Sequence, residues 1–455
     1  MTSRPPARSC LSGPTRRRVM ALPLALLLPA VGCRTRMPAT DERRADAMFG
    51  DVEQYVDFGV HRAGSPGDQA TADWMRGALD AAGFRTRFIE TPTQYTEPLD
   101  VRASWAGGGA LDLFPAWPVV TTPDGGLTSR AVQVEDPTRP VGDLTGRIAV
   151  VELPFPAYGT LNFGPTRDQL DRVLMGRPDG VILLTAGLTG EIIALNSSLS
   201  RPPFPCPVVY GAPNQAGALR EAARAGAPVT LTVTARTDPQ GVIRNVVGER
   251  PGAGPVIVVS TPISGWFRCG GERGPGIAFW REMARRLPDR LAGRRLIFIA
   301  NSGHEIDGVG AREALHQAIP GPDRIAVWAH LGAGMATYEW RRTAGGLERQ
   351  AAGPDPERYL VTGRGDFVPV LERAFAGQPG LDAPRAVKAE EAFGETRVFL
   401  AEGYRRLFGV FAGHDLHHTP IDTAQSTGPE LLAPVAAGLE TAILALATSG
   451  VSGPP

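Results

Sequence analysis

The chain is 455 residues long, 43% hydrophobic, and carries 47 basic and 47 acidic side chains, so its formal net charge is zero. A chain of this size buries a large core and is expected to make two domains. Charge neutrality gives no support to nucleic-acid binding or to a polybasic membrane surface.

The N-terminus reads as a targeting segment. Arg4, Arg8 and Arg16-Arg17-Arg18 precede the apolar run Val19–Val31, which is too short to span a bilayer and suits an export signal. Thr15-Arg16-Arg17-Arg18-Val19-Met20 resembles a twin-arginine signal. Ala30-Val31-Gly32-Cys33 resembles a bacterial lipobox, with Cys33 as the lipid-anchored first residue of the mature protein. An ordinary cleaved signal with an incidental cysteine is the alternative. Both place the protein in the periplasm or cell envelope. Beyond Cys33 only Cys206 and Cys269 remain, which excludes a disulfide framework.

Helices are predicted over Ala45–Val60 and Gln69–Ala82, joined by His61-Arg62-Ala63-Gly64-Ser65-Pro66-Gly67. In the second, Ala70, Trp74, Met75, Leu79 and Ala82 recur at helical spacing. Phe84–Glu90 alternates as a strand. Residues 99–242 are rich in glycine and proline, with short apolar strands at Ile148–Val151, Gly180–Leu184, Pro205–Tyr210 and Val229–Ala235 and a helix near Gln215–Ala225.

From Asn245 onward strands and helices alternate. Strands are predicted at Val256–Ser260, Arg294–Ala300 and Arg324–Ala329, and helices at Gly276–Leu287 and Val309–Ala318. That alternation argues for a mixed, mostly parallel sheet flanked by helices. The last helix, Pro429–Thr448, is read as a packing element because Glu430 and Glu440 interrupt it.

Ligands of such sheets collect at the carboxyl ends of the parallel strands. Three predicted strands end in polar groups: Ser260-Thr261-Pro262-Ile263-Ser264, Asn301-Ser302-Gly303-His304-Glu305, and His330. The glycine-rich loop Gly270-Gly271-Glu272-Arg273-Gly274 opens a helix at the same rim.

The order of these segments, with the Arg-Ala-Gly-Ser-Pro-Gly loop before them and His418-Thr419-Pro420-Ile421-Asp422-Thr423 after them, resembles the M28 family of zinc aminopeptidases. The resemblance spans nearly all of the mature chain. It implies a zinc-exopeptidase-like three-layer sandwich over residues 41–98 and 243–450. The intervening 99–242 resembles a protease-associated domain, a small β-rich α/β insertion; an unrelated β-rich insertion is the alternative.

The resemblance further implies two zinc ions, a bridging Asp and a Glu-Glu pair whose first member is the general base. Position by position, His418 matches the late His, Glu305 the second Glu, and Glu272 stands in the bridging position. The other positions are altered: Thr261 and Ile263 replace a His and an Asp, His330 replaces an Asp, and His304 replaces the base. The expectation is a hydrolase acting on amide or peptide bonds of small extracytoplasmic substrates, with one zinc ion on Glu272, Glu305 and His418. His304 would shuttle protons and His330 would assist or coordinate.

Two other readings stand beside it. A binding protein could keep the pocket, carry no metal, and tie its carboxylates to Arg268 or Arg273. A metal-free hydrolase could use Thr261, Ser264 or Ser302 with His304 or His330, although no Gly-x-Ser-x-Gly elbow is present. Arg268 and Arg273 could instead bind a substrate carboxylate or make surface salt bridges. Trp266 and Phe267 could line the pocket or anchor their loop. Glu395 occupies the place of an acidic residue lining the site, and His414 or His417 could replace His418 as the ligand. His61 and His316 are expected at the surface or an interface, and Cys269 as a small buried residue.

Overall fold

The computed structural model describes residues 39–154, 160–355 and 357–448. The twin-arginine and lipobox segments, including Cys33, lie outside them. Helices α1 (Ala39–Asp57) and α2 (Pro66–Ala81) lead into strand β1 (Arg85–Pro92). The α2 start is set locally: Pro66 occupies the first turn and the Ser65 hydroxyl accepts from the Asp68 amide at 3.2 Å. In α1, Ala45, Met48, Val52 and Tyr55 form a fully buried stripe at helical spacing.

The next segment closes into a barrel. It comprises β2 (Tyr95–Trp105), β3 (Gly109–Pro115), β4 (Leu127–Val134), β5 (Arg147–Pro154), β6 (Gly180–Ala186), β7 (Val208–Gly211) and β8 (Pro228–Asp238), in the order β2-β3-β7-β6-β5-β4-β8. Helices α3 (Gly164–Met175) and α4 (Gly217–Ala225) accompany these strands. The apolar runs in β5 and β6 are buried on both faces, as continuous hydrophobic strands require.

The chain then builds the main sheet. Its elements are β9 (Val242–Arg250), β10 (Ala253–Pro262), α5 (Gly274–Arg290), β11 (Arg294–Asn301), α6 (Val309–Ala318) and β12 (Ile325–Leu331). The hairpin β13 (Tyr338–Thr343) and β14 (Gly346–Pro354) stands apart from this sheet. Then come β15 (Arg358–Thr362), α7 (Val368–Ala374), β16 (Arg385–Ala386), α8 (Gly394–Ala401), β17 (Leu407–Ala412) and α9 (Pro429–Thr448). The sheet order is β1-β9-β11-β10-β12-β17-β15-β16. The four central strands, β11-β10-β12-β17, are mutually parallel, and antiparallel strands flank them on both sides.

One apolar cluster packs α1, α2, α5 and α9 against the sheet, and a second packs α6 and α8 on it. The result is the expected mixed α/β sheet with helices on both faces. Helix α9 is long and apolar enough to cross a membrane, yet 61% of its most apolar stretch is buried within the protein. Glu440 on α9 is held by Arg44, Arg286 and Arg290. These contacts make α9 a core helix.

Strands β10 and β12 each end two residues later than predicted. Thr261 and His330 are therefore strand residues, with His330 paired to Ser260 on one side and Gly409 on the other. Cys206 and Cys269 are buried free thiols.

Candidate active site

The carboxyl ends of the four parallel strands open into a pocket of about 540 Å³. Its wall includes Asn196, Arg273, His304, His330, Glu395, His417 and His418. It shares Asn162, Phe163, Asp307 and Arg312 with a neighbouring groove of about 900 Å³ along the barrel. The barrel reaches the rim through its backbone: the Ala194 amide donates to the His418 carbonyl at 3.1 Å, and the Ser197 amide to the Glu305 carbonyl at 2.9 Å.

Glu272 is positioned by two glycines and an aspartate. A side chain on Gly270 would lie 2.1 Å from the Thr423 backbone, and one on Gly271 2.7 Å from Ser426. Their absence lets the loop sit against the Asp422 carboxylate, which accepts from the amides of Gly271 (2.7 Å) and Glu272 (2.9 Å). Ser426 donates to the same carboxylate at 2.6 Å. Burial opposes charge on His414, but the neighbouring Asp422 carboxylate raises its pKa overall.

Three expected residues meet here. Arg273 is fully buried, and its Nη2 lies 2.7 Å from Glu305 Oε1 and 2.9 Å from Glu272 Oε1. Its Nε donates to the Ser264 carbonyl at 2.8 Å. The other Glu305 oxygen accepts from the Ser264 hydroxyl at 2.6 Å. Burial alone would raise the Glu272 pKa, yet Arg273 and then His417 and His418 hold it well below the usual carboxylate range. Burial likewise opposes charge on Arg273, but the two carboxylates raise its pKa further. Two expectations for this residue, a surface salt bridge and a substrate clamp, are therefore corrected, while the third, that it ties up the carboxylates of the site, matches these contacts. Its charge is consumed internally, so it neither sits at the surface nor stands free to clamp a substrate carboxylate.

His418 approaches the same carboxylate, with Nε2 3.3 Å from Glu272 Oε1. Its backbone is left-handed, at φ 59°, and its Nδ1 is 2.7 Å from the Ala194 carbonyl. A carbonyl only accepts, so Nδ1 carries the proton and Nε2 is the atom turned to Glu272. His417 stacks on His418 at 4.0 Å between ring centroids, and burial, followed by His418, lowers its pKa well below the usual value.

Glu272, His417 and His418 each offer a ligand atom, all within 4.8 Å of one another. These are zinc-ligand types. The expected trio of Glu272, Glu305 and His418, however, does not fit an ion as it stands. Both Glu305 oxygens are engaged, and the facing oxygens of the two carboxylates already share one cationic nitrogen. A dication there would lie against a buried, permanent positive charge.

A second cluster lies across the pocket. Glu395 is buried at the start of α8, with Oε1 3.2 Å from His304 Nδ1 and Oε2 2.9 Å from Asn301 Nδ2. His330 Nε2 is 3.8 Å from Glu395 Oε2. Burial opposes the Glu395 charge, but His304, His330 and Asn301 lower its pKa, keeping it an ionised acceptor. His304 therefore presents Nδ1–H to Glu395, which leaves Nε2 as its other ring nitrogen. Gly394 permits this approach, since a side chain there would meet the His304 ring at 3.3 Å. Behind His330, the Trp328 indole donates to Ser260 Oγ at 2.7 Å, and Ser260 Oγ lies 2.9 Å from His330 Nδ1. Burial lowers the His330 pKa to about 4 despite Glu395, so this ring is neutral at neutral pH.

The candidate hydroxyls are committed elsewhere. Thr261 donates to the Leu331 carbonyl (3.0 Å), Ser264 to Glu305, and Ser302 to Asp68 (2.7 Å). Trp266 is buried, packed on Trp117 at 4.9 Å and bonded to Asn196, so it anchors its loop. Arg268 is exposed and absent from the pocket wall. His61 departs from the surface expectation: it is fully buried and stacks on Tyr55 at 3.8 Å. His316 is exposed, as expected.

The sequence matches no protein-family profile and no curated protein. Solved structures do match. A zinc aminopeptidase from Bacillus subtilis superposes with a TM-score of 0.69 at 17% identity, over 90% of this chain and 96% of that one. The fold is that of a zinc aminopeptidase. A peptidase M28 precursor from Shewanella amazonensis gives 0.63 at 15% identity, over 91% and 98%. An aminopeptidase from Aneurinibacillus sp. strain AM-1 gives 0.59 at 17% identity, over 88% and 94%. At these identities the likeness concerns the fold, and the chemistry rests on the residues described above.

Proposed function

We propose that this protein is an exported hydrolase of small peptides or related amides that works without a bound metal, with His304 as its general base. Its barrel acts as a protease-associated domain, and Cys33 carries a lipid anchor holding it in the cell envelope. The observation that carries the catalytic part is the His304–Glu395 pair: a pocket-facing imidazole held by a buried carboxylate at 3.2 Å. A carboxylate fixes the tautomer of its histidine and stabilises the imidazolium formed when the ring takes a proton.

In this scheme a substrate amide lies in the pocket and His304 Nε2 accepts a proton from an attacking water. The new C–O bond forms at the carbonyl carbon. The carbonyl oxygen becomes anionic as that bond forms. The C–N bond then breaks, and the imidazolium returns the proton to the leaving amine. The adjoining groove accommodates residues beyond the scissile bond.

The test is hydrolysis of a panel of aminoacyl amides and short peptides, with and without a strong chelator. Chelator-resistant turnover that falls ~10²–10⁴-fold in H304A is expected. A second reading, a binding protein without catalysis, is favoured by the internal commitment of every candidate hydroxyl and of Glu305. Saturable peptide binding with no turnover across the panel would establish it instead.

A further inference from the structure

We infer that the Arg273 guanidinium is a covalent substitute for a metal ion, and that removing it would turn this pocket into a zinc site. Three features carry the inference. One guanidinium nitrogen sits within 2.9 Å of two carboxylate oxygens from separate segments of the chain, Glu272 before α5 and Glu305 after β11. These carboxylates and the arginine are buried, so each carboxylate needs a cation there and water cannot supply the compensation. Finally, two imidazoles converge on Glu272. His418 turns Nε2 towards Glu272 at 3.3 Å while its Nδ1 is fixed by the Ala194 carbonyl, and His417 brings a ligand atom into the same 4.8 Å cluster.

That tautomer is the one a metal-ligating histidine adopts when a backbone carbonyl orients it. With the guanidinium gone, Glu272, His417 and His418 form a buried set of one carboxylate and two imidazoles. Three such protein ligands, with water in the fourth position, are a sufficient donor set for a zinc ion. As the chain stands, its own cation excludes zinc.

The inference does not depend on whether the pocket hydrolyses anything, and its test reads metal and stability alone. Mature wild-type protein, R273A and R273N are dialysed against zinc, then against metal-free buffer. Zinc is counted by elemental mass spectrometry and melting followed with and without added zinc. Wild type should retain almost no zinc and melt at the same temperature in its presence. R273A should retain one zinc per chain and melt roughly 5–10 °C lower than wild type without it, from the unpaired buried carboxylates. Added zinc should recover much of that loss. The double variant R273A/E272Q should lose the zinc again, which separates this site from adventitious binding.

R273N, a polar replacement of different size, covers the case in which the alanine variant folds poorly. One zinc per chain in wild type, lost in E272Q, would overturn the inference. So would R273A and R273N that take up no zinc, or that stay insoluble whether or not zinc is present.

Discussion

The carboxylate of Asp422 accepts the backbone amide of Glu272 at 2.9 Å, tying a loop before α5 to a motif 150 residues later in the chain. The same carboxylate takes the Gly271 amide at 2.7 Å. Asp422 thus positions Glu272 without touching the pocket wall. D422A should leave two buried amides and the Ser426 hydroxyl unsatisfied. A loss of about 3–5 kcal/mol in chemical denaturation is expected from these charge-assisted bonds. A loss under about 1 kcal/mol would show that the loop holds its shape without Asp422.

The glycine pair makes a related prediction by steric means. G270A would place a methyl group against the Thr423 backbone at 2.1 Å, and backbone cannot rotate away as a side chain can. Destabilisation of about 1–3 kcal/mol or more is expected, the usual range for overpacking. G50A, where a side chain meets open space, is the control and should be neutral or better. Equal melting of the two variants would contradict the packing described here.

The His304–Glu395 pair predicts a split between orientation and chemistry. E395Q preserves shape but removes the charge that fixes the His304 tautomer and stabilises its protonated form. Turnover should fall by about 10²-fold or more in kcat, with a much smaller change in KM. T261V, which removes only a hydroxyl bonded to Leu331, should cost about 1 kcal/mol of stability and leave turnover unchanged. A large activity loss in T261V would restore the hydroxyl-nucleophile mechanism.

His61 predicts an acid-sensitive limb of stability. Burial lowers its pKa from the ordinary 6.5 to about 3. Between those values the unfolded chain binds a proton that the folded chain refuses. His61 therefore contributes full stability above about pH 6.5, and that contribution is lost as pH falls towards 3. Asp68 acts in the opposite sense: burial raises its pKa to about 7, so its cost grows as pH rises from about 4 to 7. The informative quantity is the difference between wild type and H61F, which retains the stack on Tyr55. That difference should change between pH 6.5 and 3 and be flat above; a flat difference throughout would show His61 charged when buried.

Much of this architecture is legible before any coordinates. Apolar strands alternating with helical stripes fix the parallel core, and polar residues at the ends of β10, β11 and β12 locate the pocket, because parallel sheets bind ligands there. The region between β12 and α9 is harder. Strand β17 is the uninterrupted buried run Leu407–Ala412, which could have been read as a core strand from its continuous apolarity alone. The hairpin β13–β14 and the short strand β16 are half-exposed or brief and carry no comparable signal. Within the site, Glu272, Glu305 and His418 do converge, and Glu395 does line the pocket. For Arg273 the sequence leaves several roles open, a tie to the site's carboxylates among them, because an arginine beside a glutamate at a helix start can equally be a solvated pair. Only tertiary structure turns that side chain inward to a second carboxylate. The doublet His417-His418 is a local hint that two imidazoles reach Glu272.

A guanidinium that belongs to the chain also changes what the finished site requires of its surroundings. An enzyme that holds a free ion is only as complete as the local supply of that ion allows, and chelators or competing metals can empty it or fill it wrongly. Here the positive charge between Glu272 and Glu305 is encoded, delivered at synthesis in a fixed ratio of one per chain, and cannot dissociate. On the metal-free reading proposed above, the centre is complete as soon as the protein folds, at any metal concentration.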